Sequence, residues 1–583
     1  MEKRVLIAIF LCFLSLYLWQ MFVVKPIPKP APIAGAPAPP GAATTGPAES
    51  PAANPESAPP AKTPAASVDV VTGDSTEKTI RIETADVIAE FTNRGGRLRS
   101  WRLKHYLDQD RQPQELVVSL PAQPLPFTLR LADTAATAAM TDALYAVRGG
   151  DHAFVAGPQS APVDLRFEYR DSSGLHVTKD FHLEPTGYVV TFGATVLREG
   201  ASTSDNKPLP FAIAWGPAVG DVGENSRYVK KNGGLFLQDG KVRRLAPKDF
   251  AAQPTYEGDF RFAGVDDNYF LTAALFTGPS KVTYQAISIP PPANSKDPAR
   301  ELVAYSIEPK SNDGTTKFFA GPKDRDVLKA IGSDIDLAID FGMFKVIVGP
   351  LLTSLKWVNS YVGNYGWSII ILTIMINAIM FPLRHKSVVS MRKMQEIQPE
   401  VKAIQDRYAK LKATDPAKQK MNTEMMALYR ERGVNPASGC VPMLLTMPVL
   451  IAFYALLSQA IELRGAPFLG WIHDLALHDP LYITPVLMGV TMVWQQRLAP
   501  AAGADPAQQK MMMFMPVVFT FMFLWAPAGV AVYWLMSNLW AIGQQYATNY
   551  IIGPPNVRNV RPPAERRVKR VGGGKTEAAA REP

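Results

Sequence analysis

The sequence predicts a two-part fold: an all-β soluble domain, read as a large β-sandwich, joined to an α-helical polytopic membrane domain. Three observations lead there. The hydrophobic residues, 47% of the chain's 583, crowd into residues 1–24 and 341–552. The stretch 68–325 has the mixed composition of a water-soluble domain, and it alternates in short runs cut by Gly and Pro. The formal net charge is +9, with the excess at the C-terminus and after Pro382, and basic charge so placed marks the cytosolic side of a membrane.

Residues 1–24 set Lys3 and Arg4 before an apolar run of about 20 positions, long enough to span a bilayer. The apolar run is long for a signal peptide, and the best small-residue site, Ala34-Gly35-Ala36, is followed by Pro37. An uncleaved anchor with a cytosolic N-terminus is expected. Residues 25–67 are rich in Pro, Ala, Gly and Ser, which gives a disordered tether that lets the next domain stand off the membrane. In 68–325, "TIRIETADVIAEFTNRGGRLRSWRL" alternates, turns at Asn93–Gly96 and resumes. "LHVTKDFHLEPTGYVVTFGATV" does the same around Pro185-Thr186-Gly187. A short helix near 323–332 is expected to close the domain.

Residues 341–358 space Phe344, Ile347, Leu351, Leu352 and Leu355 near helical period, with Lys345 and Lys356 interrupting. This suits a helix lying in the interface, bent or limited by Pro350. A membrane core, 359–552, follows, with five spans near 363–383, 440–461, 481–499, 510–526 and 528–550. The span 510–526 is expected to be short, about 24 Å against about 30 Å of hydrocarbon. The segment 384–438 and the tail 553–583 are densely basic, whereas 462–480 holds only Arg464 among Lys and Arg. Six spans with both termini in the cytosol and the β domain outside satisfy this asymmetry. Within 384–438, Val401, Ile404, Tyr408 and Leu411 form one stripe and Met421, Met425 and Leu428 another, on either side of Asp415-Pro416. They predict two antiparallel helices, and a partner-binding hairpin is favoured over a purely structural one.

The orientation places Asn377, Thr446, Gln495 and Gln496 in the cytosolic half of the membrane, with Asn538 near mid-depth and Gln544 and Gln545 below it. Each alone is explained equally by helix–helix bridging or by a cavity. Their clustering toward one leaflet favours a water-holding recess, because an unpaired amide in hydrocarbon costs several kcal/mol. No Asp, Glu or His lies inside a span, and Glu462 sits at a boundary. A buried proton relay is therefore missing. No H-E-x-x-H or G-x-S-x-G motif occurs. His473 and His478, near Asp474 and Asp479, fit a solvated loop better than a zinc site. The two cysteines, Cys12 and Cys440, lie in or beside apolar runs and build no disulfide framework. No enzyme activity, cofactor, metal or small-molecule substrate is expected. A solute transporter should show paired inverted repeats, which are not evident. A membrane-anchored scaffold, the other rival, should lose function with residues 68–325.

The segments "NYGWSIIILT", "MMALYRERGVNPASGCVPMLLTMPV", "ELRGAPFLGWIHDLALHDPLYITPVLMGVTM" and "DPAQQKMMMFMPVVFTFMFLWAPAGVAVYW" resemble the YidC membrane protein insertases. "FTNRGG" and "FFAGPKDRD" resemble the periplasmic domain of Gram-negative members. The resemblance implies a periplasmic β-supersandwich, a five-helix core in the inner membrane, and a groove open to cytosol and lipid. It implies that nascent membrane proteins are inserted and folded there, alone or beside the Sec translocon. At matching positions, Thr373, Thr446, Tyr533 and Trp534 line or border the groove. The hairpin, and the tail with Arg558, Arg561, Arg566, Arg567, Lys569 and Arg570, resemble the parts that engage the ribosome and Sec components. The sequence departs at Asn377, where the family commonly has Arg or Lys, so no cation is expected at mid-depth. Arg384, Lys386 and Arg497 are left at the cytosolic mouth to supply some of that charge, with Arg392, Lys393 and Arg407 beyond them in the hairpin region.

Overall fold

The structure is a computed structural model that describes residues 70–108, 110–120, 123–149, 161–199, 207–217, 219–220, 232–276, 278–289, 300–309, 315–408, 417–434, 441–498 and 506–553. The expected anchor 1–24, the tether 25–67 and the basic tail from 554 lie outside the described residues. Two compact units result. The smaller contains the hairpin 399–433, and the larger contains the β domain and the remaining helices.

The β domain is antiparallel throughout its described pairings, in a 15-stranded sheet and a four-stranded sheet. Alternation does what the sequence predicts. In Leu175–Leu183 every second residue, from Leu175 to Leu183, is buried, and the strand pairs with Val189–Arg198 across the Gly187 turn. The turn at Asn93–Gly96 is tight because Gly95 and Gly96 both take positive φ, +71° and +53°. At Gly96 an added Cβ would stand 3.1 Å from the Phe167 side chain. Rings pack the centre: Phe127 lies 5.1 Å from Phe181, 4.8 Å from Phe192 and 5.2 Å from Trp215. Such pairs add to the free energy of burial.

Helix α1 (Thr134–Asp142) sits within the β domain. Helix α2 (Arg325–Ile331), capped by the Asp324 side chain, closes it as expected. Helix α3 (Lys345–Val362) contains Pro350 without ending there. It buries Val348, Leu351, Leu352, Leu355 and Val358 while Met343, Val346, Trp357 and Tyr361 at and around it stay exposed. Helix α4 runs from Tyr365 to Glu396, about 48 Å at the usual rise. The sequence pattern ends this element at 383 and begins the cytosolic segment at 384. The structure instead carries the helix past Pro382 to Glu396, about four further turns. A proline removes one backbone bond, and the helix is held across it by the Arg384–Asn377 hydrogen bond and the stack of Phe381 on His385, while Ile379 and Leu383 stay exposed.

Helices α5 (Gln398–Arg407) and α6 (Ala417–Glu431) form the hairpin. They run antiparallel: Arg432 meets Glu400 at 2.9 Å, and the Tyr408 hydroxyl donates to Glu424 at 2.8 Å. Their buried stripe is Val401, Ile404, Met421, Met425 and Tyr429, with Tyr429 taking the inward place expected of Leu428. The remaining helices are α7 (Val441–Gln459), α8 (Ile483–Leu498), α9 (Pro506–Phe523) and α10 (Ala528–Ile552). The shortest of these four is α8, with 16 residues, not the segment 510–526. That helix starts earlier, at Pro506, because Asp505-Pro506 supplies a start signal that a hydropathy reading passes over. Gly489 lets α8 approach α9, since a Cβ there would fall 2.0 Å from the Thr520 hydroxyl. Among the described residues one helix, Tyr365–Met394, is long and apolar enough to cross a membrane by length and composition.

Asp267 sits in the buried turn before strand Phe270–Leu275, where burial pushes its pKa up to about 6 against the backbone N–H groups of Phe270 and Tyr269. An acid with a raised folded pKa stabilises the fold below its unfolded pKa, and that stability is lost as pH rises through the folded value. Asp267 therefore removes about 3 kcal/mol between pH ~4 and pH ~6. Asp267→Asn should raise the thermal midpoint at pH 7.5 and flatten the melting profile over that interval. A midpoint that is unchanged at pH 7.5 counts against the assignment.

Candidate functional site

The polar residues expected in the membrane core fall into two groups. The first is on α4. The Thr373 hydroxyl is fully buried and donates to the Ile369 carbonyl at 2.6 Å. The Asn377 amide donates to the Thr373 carbonyl at 2.7 Å, so part of its polarity is satisfied by its own helix. Its carbonyl oxygen accepts from Arg384 Nη1 at 2.7 Å. Positions 377 and 384 are two turns apart on one face, about 10 Å along the axis, and the arginine side chain folds back along α4 to Asn377. The sequence pattern puts no cation at position 377, and the structure sets the Arg384 guanidinium against the Asn377 side chain. The position formally occupied by Asn377 is served by a guanidinium rooted seven residues later.

The second group is on α10. Asn538 donates to the Met488 carbonyl at 3.3 Å and to the Thr491 hydroxyl at 3.2 Å, both on α8. This amide is committed to bridging two helices. Trp540, Gln544 and Thr548 repeat at every fourth residue on another face, and Trp540 Nε1, Gln544 Nε2 and Thr548 Oγ1 are buried with no hydrogen-bond partner. On α4, His385 Nδ1 is in the same condition. Arg392 ties the ends of the two helices, donating to Asn549 Oδ1 and to the Gly553 carbonyl. A buried donor without a partner costs about 1–3 kcal/mol, so a row of them marks a place where water or a polar chain is needed.

Tyr533 and Trp534 carry the aromatic wall. Tyr533 stacks on Phe453 of α7 at 4.3 Å, and Trp534 lies 5.3 Å from Phe519 and 5.0 Å from Phe523 of α9. Gln495 and Gln496 are half-buried at the end of α8, and Lys386, Lys393 and Arg497 are exposed. Thr446 lies in α7, with its side chain outside the description. Arg407 is exposed on the hairpin, 3.5 Å from Glu424. Arg558, Arg561, Arg566, Arg567, Lys569 and Arg570 lie outside the described residues. In the loop between α7 and α8 His473 and His478 are exposed. Asp479 is taken up by Thr484, Leu481 and Trp471 as the cap of α8.

Of this row, the sequence pattern picks out Gln544 by its depth but neither Trp540 nor Thr548. Spacing by four is the available signal, but Trp540 reads as apolar and Thr548 lies at the end of the span.

An antiparallel β domain followed by helices with a polar seam is the organisation of a membrane protein with a large extracytoplasmic domain. The chain belongs to the YidC family of membrane protein insertases. The family model described as YidC periplasmic domain matches residues 79–354, and that described as 60Kd inner membrane protein matches residues 357–554. A membrane protein insertase YidC of Syntrophus aciditrophicus is 34% identical, over 94% of this chain and 99% of the relative. One of Geobacter metallireducens is 35% identical, over 94% and 98%. A solved structure described as an active YidC insertase with its first transmembrane domain resolved is 19% identical, with a TM-score of 0.34, covering 82% of this chain and 95% of that one. The family places the chain in the inner membrane with its β domain periplasmic.

Proposed function

We propose that this protein inserts and folds nascent integral membrane proteins through a hydrated recess bounded by α4 and α10, open to cytosol and lipid. The observation that carries the reading is the row of unpartnered buried polar atoms on α10 together with the Arg384–Asn377 pair on α4. A polar stretch of the client enters still partly hydrated, so its desolvation cost falls. The client's apolar segment moves past Tyr533 and Trp534 into lipid, driven by burial of its own apolar surface. The short helix α8, about 24 Å long, favours a locally thinned bilayer and shortens the remaining path. No bond is made or broken. Six spans, cytosolic termini, five core helices, use beside the Sec translocon, and ribosome contact through the hairpin and basic tail complete the proposal.

The test is site-specific photocrosslinking from Trp534 and Gln544 to a ribosome-stalled nascent membrane protein. Val490, 58% exposed on α8, serves as the lipid-facing control. Adducts from 534 and 544 but not from 490 are expected. Equal labelling at all three positions would remove the recess from the mechanism.

A further inference from the structure

The unpartnered atoms of the recess have a polarity. Trp540 Nε1, Gln544 Nε2 and Thr548 Oγ1 on α10, and Arg392 Nε on α4, are buried without a hydrogen-bond partner. An indole, an amide nitrogen and a guanidinium nitrogen only donate, and a threonine hydroxyl can donate. What this strip lacks is acceptors.

The row on α10 also has a repeat. Residues four apart lie on a ridge inclined by about 26° to the helix axis, so the 6 Å rise becomes a step of about 6.7 Å along the ridge. In an extended chain the carbonyls that point to one side recur at every second residue, again about 6.7 Å. Three donors at this step therefore match three alternate carbonyls of an extended strand. A coiled segment offers no such match, because its carbonyls are taken by its own N–H groups. The row is bordered on one side by Gly543 and Ala547, both exposed, and a Cβ at Gly543 would meet nothing within 4 Å. Neither residue has a side chain long enough to cover the row, so a polypeptide can lie close against this strip of α10. Asn538 is no part of it, since its amide is committed to α8.

We propose that Trp540, Gln544 and Thr548 bind main-chain carbonyls of the client's polar stretch and hold that stretch extended along α10. The proposal rests on the recess described under the proposed function and names what the recess recognises. Every residue carries a carbonyl, so the row accepts a polar stretch whatever its side chains. It holds a stretch that is passing, not a span that has coiled, and a span entering lipid has to satisfy its backbone internally.

The test uses the full-length protein in proteoliposomes. In the first arm Ala547→Cys, at the border of the row, is paired with a ribosome-stalled client carrying one cysteine at each of eight successive positions of a Gly/Ser polar stretch, with Cys12 and Cys440 replaced by serine. Disulfide yield should alternate with a period of two. A period of three to four, or an even yield, overturns the extended chain. In the second arm Trp540→Phe, Gln544→Leu and Thr548→Val are combined, which removes the donors and keeps the volumes close. Insertion of the Gly/Ser client should slow about tenfold, or about twofold for each donor lost. A client with proline at every fourth position of that stretch should slow equally, since proline lacks the N–H and keeps the carbonyl. Slowing of the first client alone, or of neither, overturns recognition through carbonyls, and the second result makes the row a water site only. Leu539→Ala, 42% exposed on the same helix, should change neither rate. If the triple variant does not fold, Gln544→Leu alone is read by the same outcomes at about twofold. Wild-type protein that inserts neither client fails the functional reading instead, and the cysteine scan alone then decides whether the row holds an extended chain.

Discussion

Replacing Arg384 by alanine is expected to slow insertion about tenfold for a client with an acidic residue in its translocated segment. A client with no acidic residue there should be slowed much less. The guanidinium is held against Asn377 inside the helix bundle, where the effective dielectric is well below that of water. Two unit charges 4 Å apart attract by about 4 kcal/mol at an effective dielectric of 20. If a third of that survives desolvation, the rate changes about tenfold. The comparison between clients separates this effect from damage to the fold, which would slow both. A second arm moves the charge: Asn377→Arg added to Arg384→Ala should return most of the lost rate, because the cation then starts at the depth to which Arg384 now reaches. Insertion is followed as the protease-protected fraction in proteoliposomes against time. Equal slowing of both clients, or no return in the double variant, would show that Arg384 acts through packing alone.

The placement of Arg384 is only partly legible in the sequence. Periodicity marks the strands of the hairpin around Gly187 and the antiparallel helices near Val401 and Met421, because each buries one face and the apolar residues outline it. Charge marks the C-terminal end of α4. The two-turn reach of Arg384 is not legible, since Pro382 reads as an end to the helix and the helix does not stop there. Depth alone groups Asn538 with Asn377, but depth says nothing about direction around a helix, and the Asn538 amide points to Met488 and Thr491. The hydrogen bond from Arg464 to Gln114 is hidden for another reason. It joins positions 350 residues apart in sequence, and nothing in a local pattern at Gln114 or Arg464 marks them as partners. Arg464 does stand out as the lone Lys or Arg of 462–480, but that isolation points to no partner.

Lys179→Met is expected to cost the β domain about 3 kcal/mol, the sum of lost acceptors' partners less the relief of a buried charge. The alternation of "LHVTKDFHL" already places Lys179 on the inward row with Val177 and Phe181, where a lysine should not be unless its charge is satisfied. Its ammonium has three donors, and three backbone carbonyls take them: Gly95 at 2.6 Å, Phe127 at 2.8 Å and Gly96 at 3.2 Å. Burial, with Arg97 nearby, pushes the ammonium pKa well below 10.5, so the charge itself is unfavourable here. The contacts explain why it is kept. Gly95 and Gly96 form a left-handed turn, and Phe127 holds φ at +66°, a conformation a non-glycine residue adopts at a cost of about 1 kcal/mol or more. The carbonyls of all three point to the ammonium, so Lys179 pins the Asn93–Gly96 turn and the Phe127 bend to one strand. Methionine is close to the side chain in volume and relieves the buried charge. It leaves three carbonyls without donors, at about 1–3 kcal/mol each, and backbone acceptors, unlike a side-chain partner, cannot be substituted away. The net loss should lower the midpoint of the β domain by roughly 6–12 °C at this size. Thr178→Ala, on the opposite face of the same strand, should shift it by about 1 °C. A Lys179→Met variant as stable as wild type would mean that desolvating the ammonium costs as much as the three hydrogen bonds return, and the turn would then be held by the glycines and the Phe167 contact alone.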